Sequence, residues 1–422
     1  MVDALAHFQG LIGIALLLGL AWALSENRGL RPSWRWIAGA LALQIGIALV
    51  VVRVPLIWSA IGLANNAVSA VERATRVGSS YMFGYLGGAP LPFALADGAA
   101  PPVVIAFQIL PLVIVFSALS ALLWHWRILG WIVRGLSWAL QRTLGISGVV
   151  GLGAGATVFL GVVESPLVLR AYFDRMSRSE LFAIMTLTMA TISGAILILY
   201  AQTLSKAVPN AVSHMIAASL ISLPAALLIA RLMVPGAGDT AEDKDAPVLR
   251  YDSSIDAIIR GTMDGLQLFL AVIAVIIVVF ALVSLVDQML SVIPLVDGAP
   301  ITLRRTLGWL FAPLMWAIGI PWDQASAAGG LMGTKTVLNE YVAYLDLAAL
   351  PPGTFDPRST LIVTYALCGV ANLASIGLLV STIGTLCPAR RADVSALGFK
   401  SWIAGNCASA MTGAVIGLVS FG

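Results

Sequence analysis

Eight stretches of this chain, residues 11–24, 36–52, 103–123, 181–200, 211–232, 266–286, 359–383 and 401–421, hold almost nothing that water would stabilise. With tilt or interfacial flanks, each is long enough to cross about 30 Å of hydrocarbon as a helix. A bilayer admits only helices and closed barrels, because backbone polar groups find no partners in lipid. Barrel strands would be about 10 residues long and alternating, and none of these windows alternates. With 59% hydrophobic and 11% charged residues over 422 positions, too little polar surface remains to coat a soluble globule. The chain therefore reads as an all-α integral membrane protein with about eight transmembrane helices.

Several function classes fall away on the same grounds. Cys368, Cys387 and Cys407 follow no metal-ligand spacing and read as packing residues. The net charge of +3 makes no basic cluster suited to nucleic acid. No GxSxG, HExxH or Cys/His cluster is present, so a membrane enzyme of familiar design is not indicated. The start, MVDALAHFQG, lacks the basic opening of a cleavable signal, which makes 11–24 a retained first span. Placing the N-terminus outside puts sixteen Lys and Arg in inside segments, including Arg28, Arg127, Arg178, Arg250 and Lys400, against eight outside, including Arg53, Arg304 and Lys335. That is the expected cytoplasmic bias, and eight crossings then leave both termini outside.

This topology works only if the regions around Glu164 and Glu340 enter and leave the membrane on one side. The first contains GVVESPL (161–167) between short apolar arms, and the second, WDQASAAGGLMGTKTVLNEYVAYLDL, has its polar tip at Asn339 and Glu340. Each precedes a span with small and polar residues at its middle: MATISGAIL (189–197) and LCGVANLASIG (367–377). Hairpin with glutamate, then interrupted helix, occurs twice, entering from opposite sides. Such an inverted repeat forms substrate and ion sites near the midplane from discontinuous helices, so the two acidic tips are expected to converge. A channel fits the polar interruptions less well than alternating access does.

An ionisable group at membrane depth costs about 2.5–3.5 kcal/mol on insertion scales, so Glu164 and Glu340 need a partner or a use. Structural readings stand beside the functional ones. Glu164 could pair with Arg170, and Asn372 could be interhelical glue, although Ser375 shares its helical face. Thr191 and Ser193 could bond back to their own helix. His125 and His214 read as packed or interfacial, and Lys335 and Asp346 as flanking their hairpin at the interface.

At these same residues the sequence resembles the concentrative nucleoside transporter family. The segments ESPLVLRAYFDRMSRSELFAIMTLTMATISGAIL, GTKTVLNEYVAYLDL, YALCGVANLASIG and PARRADVSALGFKSWIAGNCASAMTGAVIGL carry the likeness, from about residue 144 to the C-terminus. The N-terminal third matches in layout rather than in motif. The resemblance implies a symporter of a bacterial inner membrane that draws nucleosides inward on a sodium or proton gradient. It also implies a homotrimer whose scaffold holds a mobile transport domain containing both hairpins.

Carried onto this chain, the family's ribose contacts fall on Glu340, Asn372 and Ser375, with Glu164 and Ile196 in the same substrate set. Where members usually read Gly-Gln-Thr-Glu, this chain reads Gly161-Val162-Val163-Glu164, and an aromatic neighbour of the base is Val370 here. The resemblance thus implies an intact ribose end and an altered base end. Its sodium site falls on Thr157, Leu160, Thr191 and Ile192, with Thr157 replacing an amide. Proton coupling through Glu164 or Glu340 is the alternative.

The expected organisation is 1–143, scaffold helices and an interfacial helix; 144–260, the first half of the transport domain; 261–303, a scaffold helix; and 304–422, the second half. Residues 57–88 read as an amphipathic helix at the outer interface leading into a Gly/Pro-rich loop to Pro102, 127–145 as an inner interfacial helix, and 235–247 as a flexible inside loop.

Overall fold

The computed structural model describes residues 2–95, 103–162, 164–205, 207–236, 250–296 and 298–420. Among these, regular structure is helical, apart from an isolated bridge between Val296 and Ala299. The inside loop at 235–247 and the stretch reaching Pro102 lie largely outside the described residues, as do Val163 and Lys206.

The chain opens with α1 (Val2–Ala23), α2 (Trp34–Arg53) and α3 (Pro55–Phe83), followed by the short α4 (Ile105–Gln108), α5 (Pro111–His125) and α6 (Ile128–Leu144). The first hairpin is α7 (Gly148–Phe159) and α8 (Glu164–Val168); the broken helix after it is α9 (Arg178–Ala190) and α10 (Gly194–Leu204). Then come α11 (Ala211–Met233), α12 (Ser254–Leu290) and α13 (Leu303–Ala317). The second hairpin is α14 (Trp322–Gly333) and α15 (Glu340–Ala349), its broken helix is α16 (Pro357–Ala366) and α17 (Leu373–Leu386), and α18 (Arg391–Val419) ends the fold.

Five helices are individually long and apolar enough to cross a bilayer: Trp34–Arg53, Ile105–His125, Ala211–Met233, Ser254–Leu290 and Pro388–Val419. With α1 and the two broken helices they account for the eight apolar windows. Local chemistry sets the element starts. Side chains of Ser147, Asp356 and Asn372 accept from backbone N–H groups in the first turns of α7, α16 and α17, and Ser177 with Glu180 forms a reciprocal capping box on α9. These caps matter more in a membrane, where no water answers an orphaned donor.

Burial sorts the helices into an inner and an outer set. α11 and α18 are inner: 83% and 78% of their span windows are enclosed, against 11% for α12. Inner helices approach closely at small residues, as membrane interfaces do generally. Gly405 of α18 shows how closely, since a Cβ there would lie 3.0 Å from the Ala371 Cβ and nearer still to the Met189 Cβ. The two broken helices are therefore pressed against one wall at their breaks.

At the membrane-flanking end of α9, Glu26 gathers Arg178 and Lys400. Arg178 donates through Nε and Nη2 at 3.1 and 3.0 Å, and Lys400 donates at 3.1 Å. The Arg178 hydrogen bond holds the Glu26 carboxyl below its ordinary value, partial burial opposes this, and Lys400 adds to the lowering.

Two predictions follow from this packing. Gly405→Ala should destabilise the detergent-solubilised protein by about 1–3 kcal/mol, the usual cost of overpacking, read as a lowered thermal midpoint. For Glu26 the folded value is depressed, so its contribution is present above the ordinary carboxylate range and lost as pH falls through the folded value. The midpoint difference between wild type and Glu26→Gln should be small at neutral pH, about 1 kcal/mol or less for so exposed a cluster, and should shrink toward zero on acidification.

Candidate functional site

The two hairpins end their first arms differently but begin their second arms alike. α7 stops after Phe159, Gly161 and Val162 form the turn, and Glu164 is the first residue of α8. α14 runs into a π turn, Thr334–Leu338, and Glu340 is the first residue of α15. Asn339 caps that arm, its Oδ1 accepting from the Tyr341 N–H at 2.6 Å.

The broken helices cross where they are broken. The Val370 N–H reaches the Thr191 carbonyl at 3.4 Å. Gly369 lies so close to the last carbonyls of α9 that a Cβ would come within 3.1 Å of Met189 O and 3.2 Å of Ala190 O. Two helix C-termini, each carrying partial negative charge on carbonyls without a partner in their own helix, thus converge on one place.

Glu340 stands at this crossing and is 3% exposed. The Tyr200 hydroxyl donates to its Oε1 at 2.7 Å, and the Asn372 amide donates to its Oε2 at 2.7 Å. Asn372 Oδ1 in turn accepts from the Ser375 N–H at 2.9 Å, capping α17. Glu340, Asn372 and Ser375 are therefore brought together, and Tyr200 joins them without having been singled out. Its ring stacks on Tyr341, with centroids 5.5 Å apart and planes at 14°. A carboxylate offers about four lone-pair sites, so Glu340 keeps acceptor capacity beyond these two donors.

Thr157, Leu160, Thr191 and Ile192 form a second locus, where the first hairpin meets the break of α9. The Thr191 hydroxyl lies 3.1 Å from the Thr157 carbonyl and 2.9 Å from the Leu187 carbonyl. The donor set offered here, hydroxyls and main-chain carbonyls, is all oxygen, as a hard cation requires. Among the described residues no group of three or more His, Cys, Asp or Glu side chains forms a metal site.

Glu164 keeps other company. It lines a cavity of about 60 Å³ with Leu160, Gly161, Ser193, Tyr251 and Asp264, the last from α12. The direct partners of Glu164 and of Glu340 are different groups. Arg170 is not among the partners of Glu164. Val162 and Ile196 are half-buried against the core, Val370 is buried, and Val163 lies outside the described residues.

Lys335 does not flank the interface; it is fully buried, whereas Asp346 sits near Arg304 at 3.8 Å. Ser193 does not bond back to its helix, for its buried Oγ has no partner among the described residues. His214, by contrast, is packed, with Nδ1 3.0 Å from the Tyr365 hydroxyl.

An all-helical membrane protein with its buried polar groups gathered at crossed helix breaks has the design of a secondary transporter. The chain matches the family models for the Na+ dependent nucleoside transporter N-terminus over residues 12–86 and C-terminus over 214–417, and the Nucleoside recognition gate model over 106–207. It is 32% identical to the nucleoside permease NupC of Helicobacter pylori, covering 96% of both chains, and 35% identical to an uncharacterised transporter of Haemophilus influenzae, covering 97% of both. The structure of CNTnw in an inward-facing substrate-bound state is similar at TM-score 0.85 and 34% identity, covering 98% of both chains. The chain belongs to the concentrative nucleoside transporter family. The N-terminal third, which carries no motif, shares in that match through 12–86.

If Tyr200 and Asn372 both serve Glu340, their losses should not add. Tyr200→Phe and Asn372→Ala should each cost about 1–3 kcal/mol of stability, the penalty for stranding a buried acceptor. In a Glu340→Gln background each should cost clearly less, measured as denaturation midpoints of the single and double variants.

Proposed function

We propose that this chain is a secondary active symporter importing nucleosides, or related ribose-bearing solutes, down a sodium gradient by alternating access. The observation that carries this reading is the Glu340–Asn372–Ser375 cluster at the crossing of the two breaks. A carboxylate and an amide side by side bind vicinal hydroxyls through charge-assisted hydrogen bonds, which are stronger than neutral ones. Similarity to the nucleoside permease of Helicobacter pylori and to the human sodium/nucleoside cotransporter 1 supports the substrate class and the ion.

In this reading both hairpins are re-entrant and enter from opposite faces. Segments 144–260 and 304–422 form a transport domain, which moves against a scaffold of 1–143 and 261–303. Residues of α12 buried within the chain are few and lie along one stripe, Ala257, Gly261, Gly265, Phe269 and Val279. The rest of that helix is left for lipid or for other copies, which suits a homotrimer. The site is a bacterial inner membrane, with both termini outside. Thr157, Leu160, Thr191 and Ile192 would hold sodium.

Val162 and Val370 make an apolar wall where a base would lie. An apolar wall discriminates by only about 10- to 200-fold per methylene, whereas a wall that hydrogen-bonds reaches 10⁴ or more, so base selection is relaxed. Proton coupling is the second reading, favoured by Glu164 and Asp264 lining one cavity.

Uptake of labelled uridine into proteoliposomes tests all of this. Glu340→Gln should lower apparent affinity about 10- to 100-fold, the worth of a hydrogen bond to a charged group. Deoxynucleosides should compete poorly, and purine and pyrimidine ribonucleosides comparably. Replacing sodium with choline should abolish uptake; uptake that survives choline and collapses with the pH gradient would establish the proton reading instead.

A further inference from the structure

Lys335 has no part in the scheme above, yet its position is costly. The side chain is 0% exposed and sits in the π turn that ends the first arm of the second hairpin. An ammonium buried this deeply is retained only where its surroundings replace water. Its partners are a carbonyl and a hydroxyl. Nζ donates to Ala366 O, the last residue of α16, at 3.1 Å and to Ser409 Oγ of α18 at a short 2.5 Å. Glu340 lies within electrostatic reach, but no ion pair joins the two among the described residues.

The place of this contact in the fold gives it meaning. In the first half of the chain, the end of the hairpin's first arm meets the C-terminus of the first broken segment, and the link is Thr191 Oγ to Thr157 O at 3.1 Å. In the second half the same two kinds of element meet, and the link is Lys335 Nζ to Ala366 O. Thr157 and Lys335 each stand shortly before the glutamate that opens the second arm. Each joint collects carbonyls of a helix C-terminus that have no partner within their own helix, so each favours a positive charge. The first joint offers only neutral oxygen donors. The second already contains a cation.

We propose that Lys335 is a tethered cation: its ammonium fills, in the second half, the joint that in the first half is left for a mobile ion. The transport cycle then draws on one external cation where the repeated architecture provides two places. Lys335 is a positioning residue. It fixes the end of α16 against the hairpin and so holds Glu340 and Asn372, on either side of that joint, in register. The identity of the mobile ion as sodium rests on the proposed function; the role of Lys335 as a fixed cation does not.

The test uses the full chain, purified in detergent and in proteoliposomes, with Lys335→Ala, which leaves room for a small cation, and Lys335→Met, which fills the space without charge. Wild-type uridine uptake should rise with sodium to the first power. Lys335→Ala should take up uridine at less than about one-tenth of the wild-type rate in low sodium. Raising sodium should restore it with an exponent approaching two, or methylammonium should restore it at constant sodium. Lys335→Met should remain inactive under both treatments. A thermal shift measured without substrate gives a second readout: methylammonium should raise the midpoint of Lys335→Ala and leave wild type and Lys335→Met unmoved.

Uptake by Lys335→Met at the wild-type rate with an unchanged sodium exponent would overturn the proposal. So would a folded Lys335→Ala that responds, in uptake and in midpoint, to neither cation. If Lys335→Ala does not survive purification, expressing and purifying it in methylammonium should recover it, and failure to do so while Lys335→Met purifies normally counts against the proposal. Wild-type uptake indifferent to sodium would sink the sodium reading alone, because methylammonium rescue is read independently of it.

Discussion

The structure depends on one constraint: two helices are interrupted inside a membrane protein, and the backbone groups freed there must find partners in protein. The solution is to cross the interruptions and back them with a third helix. α18 supplies most of that backing. Asn406 donates to Ala371 O at 2.9 Å, and Trp402 donates through Nε1 to Thr336 O at 3.1 Å, so one helix serves both the broken strand of chain at 367–372 and the hairpin tip beside it. Thr336 completes the set by donating to Asn406 Oδ1 at 3.2 Å. The donors to the irregular backbone, Trp402 and Asn406, are both side chains on a continuous helix, which is why that backbone can be held in one arrangement.

That arrangement explains the distribution of small residues. Side chains at Gly405 or Gly369 would push α18 or the 367–372 break away from α9, and the polar partners would then miss their carbonyls. Close approach and hydrogen bonding are thus the same requirement seen from two sides. The outer helices face no such demand. α12 meets α5 through Gly261 and Gly265, which sit against Ser117, Ala118 and Ile114, and leaves large side chains such as Leu270 and Leu285 exposed along its other faces. An apolar surface of that kind is stable in lipid and would be a liability in water.

Much of this was legible in the sequence because the membrane makes polar residues conspicuous. The order hairpin, glutamate, interrupted helix could be read twice from Glu164, Glu340 and the Gly-, Ser- and Asn-bearing centres after them, and Asn372 with Ser375 followed from helical spacing. What stayed hidden had no local signature. Tyr200 ends the run ILILY and looks like any interfacial aromatic until folding brings Glu340, far along the chain, against its hydroxyl. Lys335 looks interfacial in the sequence because a lysine usually reaches water, and only the end of α16 and Ser409, both distant in sequence, make its burial tolerable. Val163 lies outside the described residues, so of the three valines that stand out in the sequence only Val162 and Val370 are described.

The two glutamates, alike in sequence position, have been given unlike surroundings. Glu340 has a donor on each oxygen and a neighbour, Asn372, that is itself fixed by capping α17, so its carboxylate is oriented before any solute arrives. Under the proposed function, pre-orientation of this kind lowers the entropic cost of binding and favours a ligand with hydroxyls in one geometry. Glu164 opens α8 at a turn containing Gly161 and looks into a cavity where the partner elements are α12 and α5. Its environment therefore depends on how the first hairpin sits against those helices, whereas that of Glu340 depends on contacts within and between the two broken helices. A displacement of the hairpin relative to α12 would change what Glu164 sees and leave the Glu340 cluster intact. Two copies of the same sequence device thus end in unlike settings: one acid held within a cluster of fixed donors, the other set against neighbouring helices.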